Sequence, residues 1–243
     1  MVAPTEVSQL TIEYSGNEVV CTTTQINSDS SVYLAGCTVA GRSVDNYTYG
    51  SDKTPQAPTY TAYEVGDEVT YNNVDYYVIK DSSASESTVT LLKAEPLTAD
   101  EIATYSAGTG AQTDGNGGMQ YHSSSSAYEG SYVKATVDAW KTANAPVATE
   151  ARLITFDELK DNLGYELIDN GSIQLWSPAD STPSWVYNSN YYYWTMSPWN
   201  DSAANVWIVG SAGSLSYSHA STTGNVVRPV IKISKSVISS TGN

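Results

Sequence analysis

A run of aromatic residues and an Arg-Pro segment near the C-terminal end constrain the fold of this chain more than any other feature. The aromatic run is Tyr191–Trp199, and the Arg-Pro segment is Asn225–Ile233. Between them, residues 200–224 are rich in Asn, Ser, Thr and Ala and hold one Tyr. Aromatic side chains supply rigid contact area and small polar ones supply adaptable hydrogen bonds, so this segment is typical of a binding surface. It shows no nucleophile paired with a base and no cage of metal ligands.

The composition narrows the classes of partner. The chain carries 11 Lys and Arg against 26 Asp and Glu, a net charge of −15. A phosphate backbone would be repelled by this charge, so we expect no nucleic-acid partner. No apolar run reaches the ~18 residues of a membrane span, and the first residues lack a signal-peptide pattern. We therefore expect no direct membrane insertion.

Aromatic usage and turn residues indicate the organisation. The 19 Tyr and 6 Trp against 1 Phe suit a β-rich protein with wet, concave surfaces. Two prolines and a glycine near residue 55 are typical of a linker. We predict a small β-rich module over residues 1–50, a linker over 51–62, a larger ligand-binding domain over 63–235 and a tail over 236–243.

The chain has two cysteines, Cys21 and Cys37, both in the N-terminal module. One alternative is a single disulfide that stabilises by roughly 3 kcal/mol through the loop it closes. The other is two reduced, buried thiols. Their spacing does not match a metal-binding pattern.

Strand signals open the larger domain. Glu68–Tyr71 and Val74–Ile79 flank Asn72-Asn73, a pair that tolerates the positive φ of a tight hairpin turn. A third strand is predicted at Thr88–Leu92 and a short one at Ala151–Ile154.

Helix signals follow. Thr98 with Glu101, and Thr155 with Glu158, have the spacing of capping boxes. Between them, Ser131–Ala143 places its apolar residues on one helical stripe. Strands, few helices and then β-rich loops predict the α+β class.

A resemblance to a known family rests on four segments. Glu150–Leu159, Tyr193–Pro198, Val206-Trp207 and Val227–Val230 are similar to C-type lectin-fold proteins related to the formylglycine-generating enzyme. The variable proteins of diversity-generating retroelements use the same frame, among them phage receptor-binding tips and bacterial surface lipoproteins. The resemblance covers roughly residues 63–233 and implies a C-type lectin-like fold.

The resemblance also implies a division between scaffold and ligand-binding residues. The scaffold would be Trp194, Pro198, Trp207, Arg228 and Pro229. Adenine-directed mutagenesis yields small polar residues and Tyr, which fill the stretch between them. The implied ligand-binding residues are Trp199, Asn200, Asp201, Ser202, Asn205, Ile208, Ser211, Ala212, Ser214, Ser216, Tyr217, Ser218, His219, Ser221, Thr222 and Thr223.

The expected function is non-enzymatic recognition. A C-terminal surface diversified by a retroelement would bind a protein or glycan on another cell, phage or host surface, with Trp199 and Tyr217 as aromatic anchors. We expect no cofactor, a place at the extracellular, cell or virion surface, and a monomer, with a trimer as the alternative. Fixed relatives without a retroelement share the frame, so a fixed-sequence adhesin or a structural cell-surface domain is the alternative function.

Two activities of related proteins are disfavoured. The formylglycine-generating enzyme binds copper through cysteines in its C-terminal half, whereas both cysteines here are N-terminal, so an oxidase is the least favoured alternative. Trp199–Asp201 coincides with half of the calcium motif of sugar-binding C-type lectins, but the Glu-Pro-Asn half is missing. Since Ca²⁺ takes six to eight oxygens, we predict no metal site. The two histidines, His122 and His219, have no interpretable triad spacing.

Arg228 could be mistaken for an anion site. It precedes Pro229 on a Val-rich strand. In that position its fork of N–H donors is better suited to tying loops to the frame. We therefore expect a structural role.

Overall fold

The computed structural model describes residues 60–169, 174–200 and 202–240, together with the backbone of six strands between residues 6 and 49. The chain divides into two compact units. One comprises Met1–Thr61 and Ser83–Ser87, and the other comprises Ala62–Ser82 and Thr88–Asn243.

The first unit contains the strands predicted for the first fifty residues. Its sheet runs β1-β3-β4-β5, with β2 also pairing with β3 and β6 with β4. In the antiparallel β3–β4 register, Cys21 lies directly opposite Cys37. Opposed residues in such a pair have Cα atoms about 4.5 or 5.5 Å apart, within the range that a disulfide spans. The disulfide and the pair of reduced thiols both stay open as predictions. The strands are β1 (Glu6–Val7), β2 (Leu10–Tyr14), β3 (Asn17–Ile26), β4 (Val32–Val39), β5 (Arg42–Ser43) and β6 (Tyr47–Tyr49).

The described residues of the second unit form two open sheets and three α-helices, which makes this unit α+β. The strands are β7 (Glu68–Tyr71), β8 (Val74–Lys80), β9 (Thr88–Lys93), β10 (Glu150–Arg152), β11 (Tyr165–Asp169), β12 (Gln174–Pro178), β13 (Tyr192–Pro198), β14 (Asn205–Val209), β15 (Leu215–His219), β16 (Asn225–Val226), β17 (Val230–Ser234) and β18 (Ser239–Ser240). The β9 sheet has the order β10-β17-β9-β8-β7-β18, and the β14 sheet has the order β11-β12-β15-β14-β13-β16.

The local signals produce the elements they predict. Asn72 and Asn73 turn the β7–β8 hairpin with φ of 49° and 59°. The helices are α1 (Ala99–Tyr105), α2 (Tyr132–Asn144) and α3 (Phe156–Asn162). Both capping boxes form, and Ser131 caps α2 by accepting a hydrogen bond from the Lys134 backbone N–H. The stripe of α2 buries Val133, Thr136, Val137 and Trp140.

The predicted tail is wrong in part. Ser239 and Ser240 form β18, which pairs with Thr70 and Val69 of β7 and so extends the β9 sheet. Sequence pattern missed this strand because joining a sheet edge needs only backbone donors and acceptors, which a polar Ser-Ser pair supplies.

The β14 sheet separates two apolar clusters. Because successive strand residues point to opposite faces, Trp194 and Ile208 join one cluster while their neighbours Tyr193 and Val209 join the other. The first cluster also takes in Trp140 of α2. The second is less completely covered, since several of its aromatic residues are only half-buried.

Arg228 holds loops to this frame from inside. Its side chain is only 1% exposed. Nε donates to the Lys93 carbonyl at 2.7 Å, one terminal nitrogen to Val186 at 3.0 Å and the other to Ala94 at 2.8 Å. The guanidinium carbon also lies 5.6 Å from the ring centre of Tyr193. These bonds give Arg228 the loop-tying role expected from its sequence context.

Candidate ligand-binding pocket

Five aromatic rings form a continuous row on the face of the β14 sheet that carries the second cluster. Phe156 contacts Trp176 edge-on at 5.1 Å between ring centres and stacks on Trp207 at 4.8 Å. Trp199 meets Trp207 edge-on at 6.5 Å and stacks on Tyr217 at 4.2 Å. Each ring fixes its neighbour, so this aromatic row is a rigid surface.

Strand register and one loop place the row. Trp207 of β14 and Tyr217 of β15 are directly opposite each other. Trp199 follows β13, and its backbone N–H donates to the Asn205 carbonyl at 2.9 Å, which closes the β13–β14 loop. Asn200 takes the left-handed φ of 39° that lets this loop turn, a conformation that Asn adopts more readily than most residues.

A cavity of about 280 Å³ opens beside the aromatic row. The eight described residues that line it include no charged side chain, and all except Asn200 and Ser216 have aromatic or aliphatic side chains. Such a cavity suits an uncharged apolar group oriented by a few hydrogen bonds. Its lining is Leu167, Trp176, Trp199, Asn200, Trp207, Leu215, Ser216 and Tyr217.

The rim of the cavity carries exposed apolar side chains. Tyr217 is 50% exposed and Leu167 is 45% exposed. Clustered exposure of large apolar groups beside a cavity is typical of an interaction site.

The structure brings four of the sequence-predicted ligand-binding residues to the cavity: Trp199, Asn200, Ser216 and Tyr217. Most of the others lie at or beside the two ends of β15. At one end Gly213 N–H donates to the Gly210 carbonyl in a tight turn, and at the other Thr222 N–H donates to the His219 carbonyl. The first turn carries Ser211, Ala212 and Ser214, and the second end carries Ser218, His219, Ser221, Thr222 and Thr223; all of these are exposed or half-buried.

Ile208 is a wrong prediction. It is 5% exposed and packs in the first cluster. Strand alternation turns it away from the face that carries Trp207, and composition alone could not specify that phase.

Three other predicted positions need separate comment. Trp207, predicted as scaffold, lines the cavity. Ser202 shapes the β13–β14 loop, since its hydroxyl accepts from the backbone N–H groups of Ala204 and Asn205. Asp201 lies outside the described residues.

Sequence reasoning missed the far wall of the cavity. Leu167, Trp176 and Leu215 form it because β11, β12 and β15 are neighbours, with Leu167 opposite Trp176 and Trp176 opposite Leu215. A Trp within the mostly polar stretch of β12 was the one local signal. The pairing of these three strands is not encoded in any single segment.

The histidines make local contacts. The Nδ1 atom of His219 lies 2.7 Å from the Ser221 hydroxyl. His122 accepts at Nδ1 from the backbone N–H groups of Ser124 and Ser125 at 3.0 and 3.1 Å. In the described part of the chain, no carboxylate hydrogen-bonds to either ring, so these contacts do not form a catalytic triad.

Charged residues near the row are paired for structure. Arg152 binds both carboxylate oxygens of Glu158, which also accepts from the Thr155 backbone N–H. Burial opposes ionisation, but the bonds from Arg152 and Thr155 prevail and hold the pKa of Glu158 below its usual range. The pair fixes the start of α3, where Phe156 joins the aromatic row.

Within residues 60–169, 174–200 and 202–240, no three His, Cys, Asp or Glu side chains are grouped to hold a metal ion. None of the helices over these ranges is both long and apolar enough to cross a membrane.

Comparison with known proteins finds no match: no family model, no curated protein and no solved structure matches this chain.

Proposed function

We propose that this protein is a non-enzymatic ligand-binding protein of the extracellular, cell or virion surface. It recognises a protein or glycan on another cell, phage or host through the aromatic-lined cavity and the residues around β15. The second unit is assigned to the C-type lectin-like fold related to the formylglycine-generating enzyme, and the C-terminal surface is assigned as a retroelement-diversified region.

One observation carries the proposal. The residues between the aromatic run and the Arg-Pro segment divide into a buried frame and an exposed set. Trp194 and Arg228 are 0% and 1% exposed, whereas Trp199, Ser216 and Tyr217 lie at the cavity. A surface that changes its side chains needs such a division, because the frame must keep the fold while the rim is replaced.

Glycine 213 supports the same division. Gly213 has a φ of +89°, and a Cβ there would lie 2.9 Å from Pro178 and 3.0 Å from the Tyr187 ring. Only glycine fits this position. We therefore expect Gly213 to stay fixed while its neighbours Ala212 and Ser214 vary.

The proposal is tested by sequencing the coding segment for residues 194–229 from independent isolates. We expect substitutions at the exposed and half-buried positions of Ser211–Thr223, with Trp194, Gly213 and Arg228 unchanged. We also expect a near-identical copy of the segment beside a reverse transcriptase gene, differing at adenines. A uniform segment without such a copy would contradict diversification and leave a fixed-sequence adhesin or a structural surface domain.

Recognition through the cavity has its own test. Binding of the intact chain and its Trp199→Ala variant to a glycan array and to displayed peptides would be compared. We expect at least one bound class whose binding requires Trp199. Equal binding by both chains would show that the cavity is not the recognition site.

A further inference from the structure

We infer that the cavity and the adjoining edge strand β11 together bind an extended polypeptide segment, which adds to the β14 sheet antiparallel to β11 and places one large apolar side chain in the cavity. This inference rests on the proposed function and names the chemical class of its ligand. It specifies the partner as a polypeptide, whereas the proposed function allows either a protein or a glycan.

Strand β11 forms an exposed edge of the β14 sheet. Among the described residues, β11 is the last strand of the β14 sheet on the side of β12. Glu166, Leu167 and Ile168 are all exposed along it. An exposed edge presents a row of backbone N–H and C=O groups that a further strand can pair with.

Strand register joins this edge to the cavity. Leu167, Trp176 and Leu215 form one cross-strand row on one face of the sheet, and all three line the cavity. A residue paired opposite Leu167 on an added strand would extend this row by one position. Its side chain would therefore enter the cavity mouth beside Leu167 and Trp176, where apolar cross-strand neighbours stabilise each other.

The cavity chemistry suits an aromatic side chain. Its lining has four aromatic and two aliphatic side chains together with Asn200 and Ser216. A Trp, Tyr or Phe side chain gains from the apolar area and from ring contacts. Aromatic rings also stack on sugars, so the exposed edge of β11 is what favours a polypeptide. Aromatic anchors seated in pockets are typical hot spots of protein interfaces.

Charge distinguishes a foreign segment from a second copy of this chain. At a net charge of −15, two copies repel each other. Glu166 is exposed on β11, one residue before Leu167, so a partner with Lys or Arg beside its apolar anchor would gain an opposite-charge cross-strand pair. We place the added segment antiparallel to β11, as β11 is to β12 and β12 is to β15.

The test uses the intact chain and a capped synthetic peptide, Thr-Thr-Val-Trp-Lys-Thr-Thr, with binding measured by calorimetry. In the antiparallel register its Trp lies opposite Leu167 and its Lys opposite Glu166. We expect replacement of the peptide Trp by Ala to weaken binding about tenfold or more. Tyr217→Ala in the protein should weaken it to a similar extent, whereas Tyr192→Ala should leave it unchanged. Tyr192 is the matched control because it is 47% exposed and does not line the cavity.

Backbone methylation tests the strand pairing. Alternate residues of a strand point their N–H groups to the same side, so two peptides methylated on the alternate sets of nitrogens should differ. One set would face β11 and abolish binding, and the other would be tolerated. A displayed library of random seven-residue peptides, selected on the intact chain, should enrich an aromatic residue followed by Lys or Arg.

Four results would overturn the inference. The first is that the library enriches no motif and the peptide does not bind, and the second is that both methylated peptides bind equally. The third is that the peptide fails to bind while a glycan binds and loses its binding in Tyr217→Ala. The fourth is that the chain forms a dimer that Leu167→Lys dissociates. The glycan result would leave the proposed function standing. A uniform coding segment across isolates would contradict the diversification part of the proposed function, and the peptide result would still hold.

Discussion

The frame of the second unit and the rim of its cavity use similar residues for opposite purposes. Trp194 in the frame is completely buried, and its indole N–H donates to the Met119 carbonyl at 2.9 Å. Trp199 and Tyr217 at the rim stack on each other and remain open to solvent on one side. The same kind of side chain therefore holds the fold in one place and offers contact area in the other.

The difference follows from strand phase and packing. On β14, Ile208 points into the first cluster and its neighbour Trp207 points towards the cavity. A side chain packed on all sides contributes burial energy to folding, and truncating it leaves a void. A half-exposed side chain contributes little to folding but stays available for a ligand. Substitutions in the frame should therefore act on stability and those at the rim on binding.

Trp194→Ala should have the largest effect. Removing a buried indole and its hydrogen bond should lower the free energy of unfolding by about 3–5 kcal/mol. The measurement is urea denaturation followed by tryptophan fluorescence, which reports the second unit because all 6 Trp lie after residue 139. A loss below ~1 kcal/mol would break the distinction between frame and rim.

Arg228→Met should rank second. It keeps much of the side-chain volume but leaves the carbonyls of Lys93 and Ala94 without their buried donors. The expected loss is about 2–4 kcal/mol, because unsatisfied buried polar groups each cost about 1–3 kcal/mol. The control is Lys232→Met, at an exposed position of β17, which should stay within ~0.5 kcal/mol of the parent chain.

The Arg152–Glu158 pair, between frame and rim, should give a smaller and pH-dependent effect. Glu158→Gln keeps a capping side chain but loses the charge, which should cost about 1.5 kcal/mol at neutral pH. The folded-state pKa of Glu158 is lowered, so its contribution is complete above the unfolded-state pKa of about 4.3 and is lost as the pH falls through the folded-state pKa.

Stability curves of both chains from pH 7 down to pH 3 would check the pair. The two curves should converge on acidification. A difference that stays constant over this range would show that the charge of Glu158 contributes nothing and that the capping geometry alone matters.

The sequence predicts the frame better than the cavity, for physical reasons. The Thr98 and Thr155 caps, the Asn72-Asn73 turn and the α2 stripe depend on residues a few positions apart, so local pattern is sufficient. The cavity depends on which strands pair. Leu167 reaches Leu215 only across β12, and no local pattern specifies that neighbour.

Strand phase explains the errors at single residues. Ile208 and Trp207 both lie in the segment that composition marks as a binding surface. Because they are successive strand residues, they point to opposite faces of the sheet. Only the packed sheet shows which face carries the cavity. Sequence pattern therefore places Ile208 at the ligand and Trp207 in the scaffold, which is the reverse of what the packed sheet shows.

Tyr217→Ala should have the smallest effect on folding and the clearest effect on recognition. The ring is half exposed and its main contact is the Trp199 stack at 4.2 Å, so the free energy of unfolding should change by less than ~0.5 kcal/mol. Tyr192→Ala, at a similarly exposed position on β13, gives the baseline for losing a surface Tyr. Denaturation of both variants, paired with ligand binding, separates the two roles. If Tyr217→Ala destabilised the chain as much as Arg228→Met, the rim would belong to the frame, because a side chain that holds the fold cannot be exchanged freely to change a ligand.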